Sequence, residues 1–129
     1  MGANAPGASP AENRIDSLEA LRVRLRAFVG EREWDQFHNP KNLAMALIAE
    51  AAELVEHFQW LTPEQAERLA PETLAEVEQE MADVLIFLVE IADRLKVDLL
   101  AAAARKLALN AQKYPVEKAR GRATKYTKL

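Results

Sequence analysis

Residues 43–58, LAMALIAEAAELVEHF, and residues 74–91, LAEVEQEMADVLIFLVEI, share one pattern that decides the fold of this chain. In both stretches apolar residues recur every three or four positions, which is the period of an amphipathic α-helix. Each stretch also carries a pair of acidic residues three positions apart, next to its apolar stripe. The pattern predicts two long helices that pack together through these stripes.

The acidic pairs are candidate metal ligands. Residues three apart project from the same side of a helix, so Glu50 with Glu53 forms one two-carboxylate claw and Glu80 with Asp83 forms another. Both claws border the apolar arc of their helix at the same offset, where uncompensated negative charge is costly to bury. Packing of the two arcs brings four carboxylates to the edge of the core. Such an all-oxygen site suits a hard divalent cation, especially magnesium.

The composition restricts the class of protein. A chain of 129 residues, of which 50% are hydrophobic and 29% charged, is expected to form one soluble globular domain. The absence of cysteine excludes disulfides, thiolate catalysis and thiolate-bound zinc. No apolar run approaches the roughly 20 residues of a membrane span, and no signal peptide is recognisable. We therefore expect a cytoplasmic protein that binds neither membrane nor nucleic acid.

Capping residues, prolines and apolar spacing divide the chain into helices. Residues 1–12 are rich in Gly, Ala, Pro and Ser and are expected to be disordered. Asn39, Thr62 and Asp98 are predicted helix caps. The predicted long helices span about residues 17–31, 40–59, 72–96 and 98–114, with a brief helix before Pro71. The sequence predicts an all-α four-helix bundle over residues 13–114, assembled as a homo-oligomer because its core is small and its stripes are broad.

Basic residues are concentrated at the end of the chain. From Lys113 onward six basic residues stand against the single acid Glu117, whereas the whole chain has a net charge of -3. A basic tail, residues 115–129, together with a carboxylate cluster suits a substrate that carries phosphate and metal. For a charge run taken alone, a solvated tail without a specific partner is the alternative.

Several motifs together resemble one known family. The chain contains the motif E-x-x-E, then a gap from Leu54 to Gln79, and then the motif E-x-x-D. This arrangement resembles that of the MazG-related all-α nucleoside triphosphate pyrophosphohydrolases, most of all their dCTP pyrophosphatase branch. The supporting stretches are WDQFH at 34–38, PKNL at 40–43, FQW at 58–60, DVLIF at 83–87, KLALN at 106–110, YP at 114–115 and KYT at 125–127. The resemblance runs from about residue 18 to the end of the chain.

The resemblance implies an enzyme. Its expected reaction is the Mg²⁺-dependent hydrolysis of a nucleoside triphosphate, here dCTP or a modified dCTP, to the monophosphate and pyrophosphate in nucleotide-pool cleansing. Glu50, Glu53, Glu80 and Asp83 would hold the metal, and Glu53 would orient or deprotonate the attacking water. The family likeness also implies a homodimer, or a homotetramer built as a dimer of dimers, with active sites at subunit interfaces.

Substrate contacts are expected on the helices and in the tail. Lys106, Asn110 and Lys113 share one face of the fourth long helix as a phosphate-binding strip. Arg122 and Lys125 would close over the same phosphates from a tail that becomes ordered on substrate binding. The complete set of expected substrate-binding residues is Trp34, His38, Asn42, Trp60, Phe87, Lys106, Asn110, Lys113, Tyr114, Arg122 and Lys125.

Two departures and two alternatives keep the substrate and the class open. Vertebrate dCTP-hydrolysing relatives carry His where this chain has Leu25 and Tyr where it has Phe87, which affects base preference and the discrimination between deoxyribose and ribose. A di-iron carboxylate bundle needs Glu-x-x-His pairs, and the acidic motifs form no such pair. A non-catalytic helical nucleotide-binding or interaction module is the other alternative, and it predicts neither phosphate release nor a metal requirement.

Overall fold

The computed structural model of the chain describes residues 14–129, and the regular secondary structure in that range is entirely helical. The segment predicted to be disordered, residues 1–12, lies outside the described residues. The helices are α1 (Leu18–Glu31), α2 (Pro40–Glu56), α3 (Pro63–Ala66), α4 (Pro71–Leu95), α5 (Leu99–Lys113) and α6 (Val116–Ala119), followed by a 3-10 turn, Tyr126–Lys128. The predicted all-α class is confirmed.

The chain divides into two compact units at Leu95 and Lys96. The first unit contains α1 to α4, and its most extensive helix packing joins α2 to α4, while α1 also packs on α4. The second unit contains α5, α6 and the 3-10 turn. The two helices with the acidic pairs therefore pack against each other, as their apolar stripes predict.

Local side-chain caps begin three of the helices. Asn39, Thr62 and Asp98 each accept a hydrogen bond from the backbone N–H three residues later, at 2.9, 3.2 and 3.0 Å respectively. These bonds satisfy N–H groups that have no partner inside the helix. The three predicted caps are confirmed. They could be predicted from the sequence because a cap depends on the residues that immediately follow it and needs no tertiary contact.

One helix boundary and two short elements differ from the sequence prediction. Helix α2 ends at Glu56 rather than near residue 59, because the N–H of His57 bonds to the carbonyl of Leu54 and tightens the last turn. Within the basic tail, α6 and the 3-10 turn were not predicted. Both are single turns, which are too short to produce an apolar period in the sequence.

Helix α1 ends in a Schellman motif around Glu33. The N–H of Glu33 bonds to the carbonyl of Gly30 at 3.1 Å, and the N–H of Trp34 bonds to that of Val29 at 3.0 Å. Glu33 has a φ of 55°, in the left-handed region. The indole of Trp34 packs edge-on against Phe28 with 5.8 Å between ring centroids, the apolar contact that accompanies this motif. The motif fixes the direction in which the connector, residues 32–39, leaves α1.

We expect Glu33→Gly to stabilise the protein. A residue with a Cβ in the left-handed region carries about 1 kcal/mol of strain, which glycine avoids. Glycine also raises the conformational entropy of the unfolded chain, and this offsets part of the gain in stability. The net gain should be about 0.5 kcal/mol or more, measured as a higher urea midpoint with an unchanged slope. Glu33→Ala is the matched control, since it removes the carboxylate and keeps the Cβ. An equal gain in both variants would contradict a backbone origin.

Guanidinium groups tie α1 and the connector to the end of α4. Arg22 and Arg26 both donate to Oδ1 of Asp93, at 3.1 and 2.8 Å, and Arg94 donates to Oδ1 of Asp35 at 2.9 Å. Burial by itself raises the pKa of Asp93, but the hydrogen bonds from Arg26 and Arg22 outweigh it, so that the pKa lies below its usual value. Ionised Asp93 therefore contributes to the stability of the α1–α4 contact.

We expect Asp93→Asn to flatten the acid dependence of stability. A carboxyl whose pKa is lower in the folded state contributes stability above its unfolded pKa of about 3.9, and the contribution is lost as the pH falls through the folded pKa. The variant should therefore be less stable than the wild type at pH 7. The difference should be only about 1 kcal/mol, because the Arg26 side chain is largely exposed and its charge is screened by solvent. Below pH 4 the variant should lose less of its free energy of unfolding than the wild type does. Urea unfolding at pH 7, 5 and 3 measures both effects. Asp16→Asn, on an exposed residue before α1, is the control, and parallel curves for Asp93→Asn and the wild type would contradict the prediction.

Few apolar side chains of the first unit are buried. The buried ones are Val29, Leu43, Val77, Val89 and Ala92. Part of the apolar arc of α2 is left uncovered, since Ile48 is 65% exposed and Val55 is 56% exposed. Other large apolar side chains of α2 and α4 are exposed as well, and we call the whole set the exposed apolar face. Its members are Met45, Ile48 and Val55 of α2 and Met81, Leu85 and Leu88 of α4.

None of the helices within residues 14–129 combines the length and the apolar character that crossing a membrane requires.

Candidate metal centre

The packed pair α2 and α4 brings the predicted acidic residues together. One carboxylate oxygen each from Glu50, Glu53 and Glu80 can be chosen so that the three lie within 4.8 Å of one another. We call these residues the carboxylate trio. Asp83 is not a member of this group, yet its charge is close enough to contribute to the raised pKa of Glu50. Three of the four predicted ligands therefore converge, and the fourth stands beside them.

Mutual repulsion marks this cluster as a place for positive charge. Burial is the largest cause that raises the pKa of Glu50, followed by its hydrogen bond with Glu53 and by the charges of Glu53, Asp83 and Glu80. The donors are all carboxylate oxygens, which hard divalent cations prefer. A cation would relieve both the repulsion and the cost of burying Glu50. The residues present thus fit Mg²⁺.

His57 is a residue of this centre that the sequence analysis missed. Its Nε2 lies 3.2 Å from Oε2 of Glu80, and its Nδ1 lies 3.7 Å from Oε2 of Glu76. The imidazole is half-buried at the end of α2, where it can orient the Glu80 carboxylate toward Glu50 and Glu53. The sequence contains a signal for it, because His57 follows Glu50 by seven residues and two helical turns return to the same flank.

The polar substrate contacts predicted near α2 have partners in the protein. The side-chain amide of Asn42 donates to the backbone carbonyl of Phe37 at 3.0 Å and so holds the connector. His38 Nδ1 lies 3.1 Å from Oε1 of Glu90, a second residue that the sequence analysis missed. Glu90 follows Asp83 by seven residues, so two helical turns place both on the same flank of α4.

The predicted aromatic contacts differ in exposure. Trp34 packs against Phe28 and also lies over the ring of His38, with 5.8 Å between centroids, so part of its surface is used within the fold. Trp60 is 86% exposed in the turn after α2. Phe87 is half-buried on α4, one turn after Asp83. Trp60 thus has the more accessible ring face for a ligand.

The remaining predicted residues belong to the second unit. On α5, Lys106 is exposed, while Asn110 and Lys113 are half-buried. The rings of Tyr114 and Tyr126 meet edge-on with 5.9 Å between centroids, and the Lys113 ammonium lies 4.9 Å from the centroid of Tyr126. Arg122 and Lys125 are exposed between α6 and the 3-10 turn. The second unit therefore groups Lys113 with two tyrosines at the end of α5.

Comparison with known proteins gives consistent matches. Residues 46–129, which include both acidic pairs, match the MazG-like family. The chain is 42% identical to dCTP pyrophosphatase 1 of Homo sapiens and 44% identical to that of Mus musculus over 115 residues, covering 88% of this chain and 68% of each relative. The crystal structure of a pyrophosphatase from Archaeoglobus fulgidus is similar with a TM-score of 0.73 and 38% identity, covering 80% of this chain and 96% of that one.

Proposed function

Because the chain belongs to the MazG-like family, we propose that it hydrolyses dCTP or a modified dCTP to the monophosphate and pyrophosphate with the help of Mg²⁺. The enzyme class is that of a nucleoside triphosphate pyrophosphohydrolase. The observation that carries the proposal is the convergence of Glu50, Glu53 and Glu80 at one edge of the α2–α4 pair. We place the reaction in the cytoplasm, in nucleotide-pool cleansing.

The carboxylates have distinct proposed roles. Glu50, Glu53, Glu80 and Asp83 would hold Mg²⁺, which would supply the positive charge that a triphosphate requires at a site of water attack. Glu53 is the exposed member of the trio and orients or deprotonates the attacking water. The water oxygen bonds to the α-phosphorus, and the bond from this phosphorus to the oxygen shared with the β-phosphorus breaks. His57 keeps the Glu80 carboxylate in position through their 3.2 Å contact.

Other residues are proposed to bind the phosphates, the base and the sugar of the nucleotide, each according to the chemistry of its side chain. Cationic and amide side chains of α5 and of the tail, residues 115–129, bind the phosphates. Trp34 and Trp60 stack on the base, and Phe87 contacts the sugar or base. The phosphate-binding residues in this proposal are Lys106, Asn110, Lys113, Tyr114, Arg122 and Lys125, and His38 and Asn42 serve the base or sugar.

The exposed apolar face supports a homo-oligomer, either a homodimer or a homotetramer built as a dimer of dimers. Ile48 is 65% and Met45 60% exposed on α2, and Met81 is 56% exposed on α4. Exposed apolar residues that recur on two neighbouring, packed helices are typical of a surface that another protein chain covers. A second copy of the chain would cover this face with the same residues, as a two-fold interface does.

A panel of canonical and modified NTPs and dNTPs, incubated with Mg²⁺, tests the proposed reaction. We expect dCTP or a base-modified dCTP to be hydrolysed fastest, with pyrophosphate and the monophosphate as products. Release of orthophosphate would contradict the assignment of the bond that is cleaved. Nucleotide binding without any hydrolysis would favour the alternative, a non-catalytic helical nucleotide-binding or interaction module.

A further inference from the structure

A cavity of about 110 Å³ lies in the first unit near the end of α4. Helices α1, α2 and α4 and the connector all contribute to its walls. Its lining combines the apolar side chains of Leu25, Val29, Leu43 and Val89 with His38, Glu90 and the paired guanidinium and carboxylate groups that join α1 and the connector to α4. An apolar cavity of about 150 Å³ holds a whole benzene molecule, so this smaller and partly polar cavity has room for one edge of a six-membered ring.

Glu90 is the unusual residue of this lining. Among the described residues it is the one charged side chain classed with the core, and it is 9% exposed. Burial raises the pKa of Glu90, and the hydrogen bond with His38 opposes this rise. An acidic group is costly to bury, and such groups in clefts are concentrated at functional sites. The fold therefore keeps a hydrogen-bond acceptor in a place where an apolar side chain would be more stable.

The cavity and the carboxylate trio lie along the same pair of helices. Glu90 follows Asp83 by seven residues, which is about 10 Å along one face of α4. On α2, Leu43 of the cavity precedes Glu50 of the trio by the same seven residues. Phe87 stands on the α4 face between the two positions. A nucleotide whose phosphates lie at the trio can thus extend its base along this face toward the cavity.

We propose that Glu90 recognises the 4-amino group of a cytosine base that enters this cavity. A carboxylate oxygen accepts a hydrogen bond from the amino group of cytosine, whereas thymine and uracil present a carbonyl oxygen at the same position. His38 positions the Glu90 carboxyl through the 3.1 Å contact, and Leu25, Leu43 and Val89 flank the ring. The inference rests on the proposed function, because it assigns the base of the same nucleotide.

The variant Glu90→Gln tests this role through the ratio of kcat/KM for dCTP to that for dTTP. An amide can turn to accept from an amino group or donate to a carbonyl, so we expect the ratio to fall by about 5- to 100-fold. Glu72→Gln, the same change at an exposed position at the start of α4, should leave the ratio unchanged. An unchanged ratio in folded Glu90→Gln would overturn the inference. Failure of the wild type to hydrolyse any nucleotide would instead contradict the proposed function.

A binding measurement on the wild type tests the inference without turnover and without a variant. Calorimetry would compare dCMP with an analogue that has hydrogen in place of the 4-amino group. We expect the analogue to bind about 5- to 100-fold more weakly, since the buried carboxyl would lose its partner. Equal affinities would overturn the role of Glu90 even if hydrolysis of dCTP had been demonstrated.

Discussion

Glu53→Gln is expected to lower kcat/KM for pyrophosphate release by at least about 100-fold and to leave the helical circular dichroism unchanged. The side chain is exposed, so an isosteric amide disturbs no packing. It does remove one negative charge from the carboxylate trio, whose oxygens lie within 4.8 Å of one another. Loss of this charge weakens the hold on the metal and removes the group proposed to orient or deprotonate the water.

Two further variants make this result specific. Glu56→Gln is the same chemical change at an exposed position three residues later on α2, outside the trio, and its activity should stay within about twofold of the wild type. Asp83→Asn should lose activity as Glu53→Gln does, although Asp83 lies beside the trio rather than in it. Retention of more than a few per cent of the wild-type activity by both Glu53→Gln and Asp83→Asn would contradict the metal assignment.

Titration with Mn²⁺ separates the two roles given to Glu53. If a carboxylate binds the metal, its replacement by an amide lowers the affinity of the protein for Mn²⁺. If the carboxylate acts only on the water, the same replacement leaves that affinity unchanged. We expect weaker Mn²⁺ binding in Glu53→Gln and in Asp83→Asn, and no change in Glu56→Gln. This measurement requires no substrate, so it does not depend on the identity of the nucleotide.

The features that the sequence predicted are those set by near neighbours. Asn39 and Asp98 cap helices because each needs only an N–H three residues later. The convergence of Glu50 with Glu80 also followed from the sequence. The acidic pair of each helix lies at the same angular distance from the apolar arc of that helix, so packing of the two arcs brings the two pairs to the same side. Local spacing, together with the assumption that the two helices pack against each other, was sufficient to predict most of the carboxylate cluster.

The features that the sequence did not reveal depend on contacts between distant segments. A helical wheel shows that Ile48 is on the apolar side of α2 but not whether the chain itself covers it. His57 and Glu90 resemble ordinary helix residues until packing brings them to Glu80 and His38. Both follow a predicted ligand by seven residues, so a search along each flank for further polar groups would have found them. The cavity at Glu90 also needs α1 and the connector, whose placement no local pattern encodes.

Placing a charge in the exposed apolar face is expected to dissociate the homo-oligomer. In Ile48→Lys the ammonium replaces a side chain that is 65% exposed in the single chain and is proposed to be buried between subunits. An unpaired buried charge is destabilising by about 3–5 kcal/mol, and a two-fold interface contains the substitution twice. The dissociation constant should therefore rise by about 1000-fold or more, since each 1.4 kcal/mol is a factor of ten.

Light scattering during gel filtration at micromolar concentration measures this effect directly. We expect a mass of two or four chains for the wild type and 14.4 kDa for Ile48→Lys. Val23→Lys is the matched control, because Val23 is 51% exposed on α1 and lies outside the exposed apolar face. If active sites form at subunit interfaces, Ile48→Lys should lose hydrolysis as it dissociates, although its carboxylate trio is intact. A wild-type chain that stays at 14.4 kDa would contradict self-association as the reason for these exposed side chains.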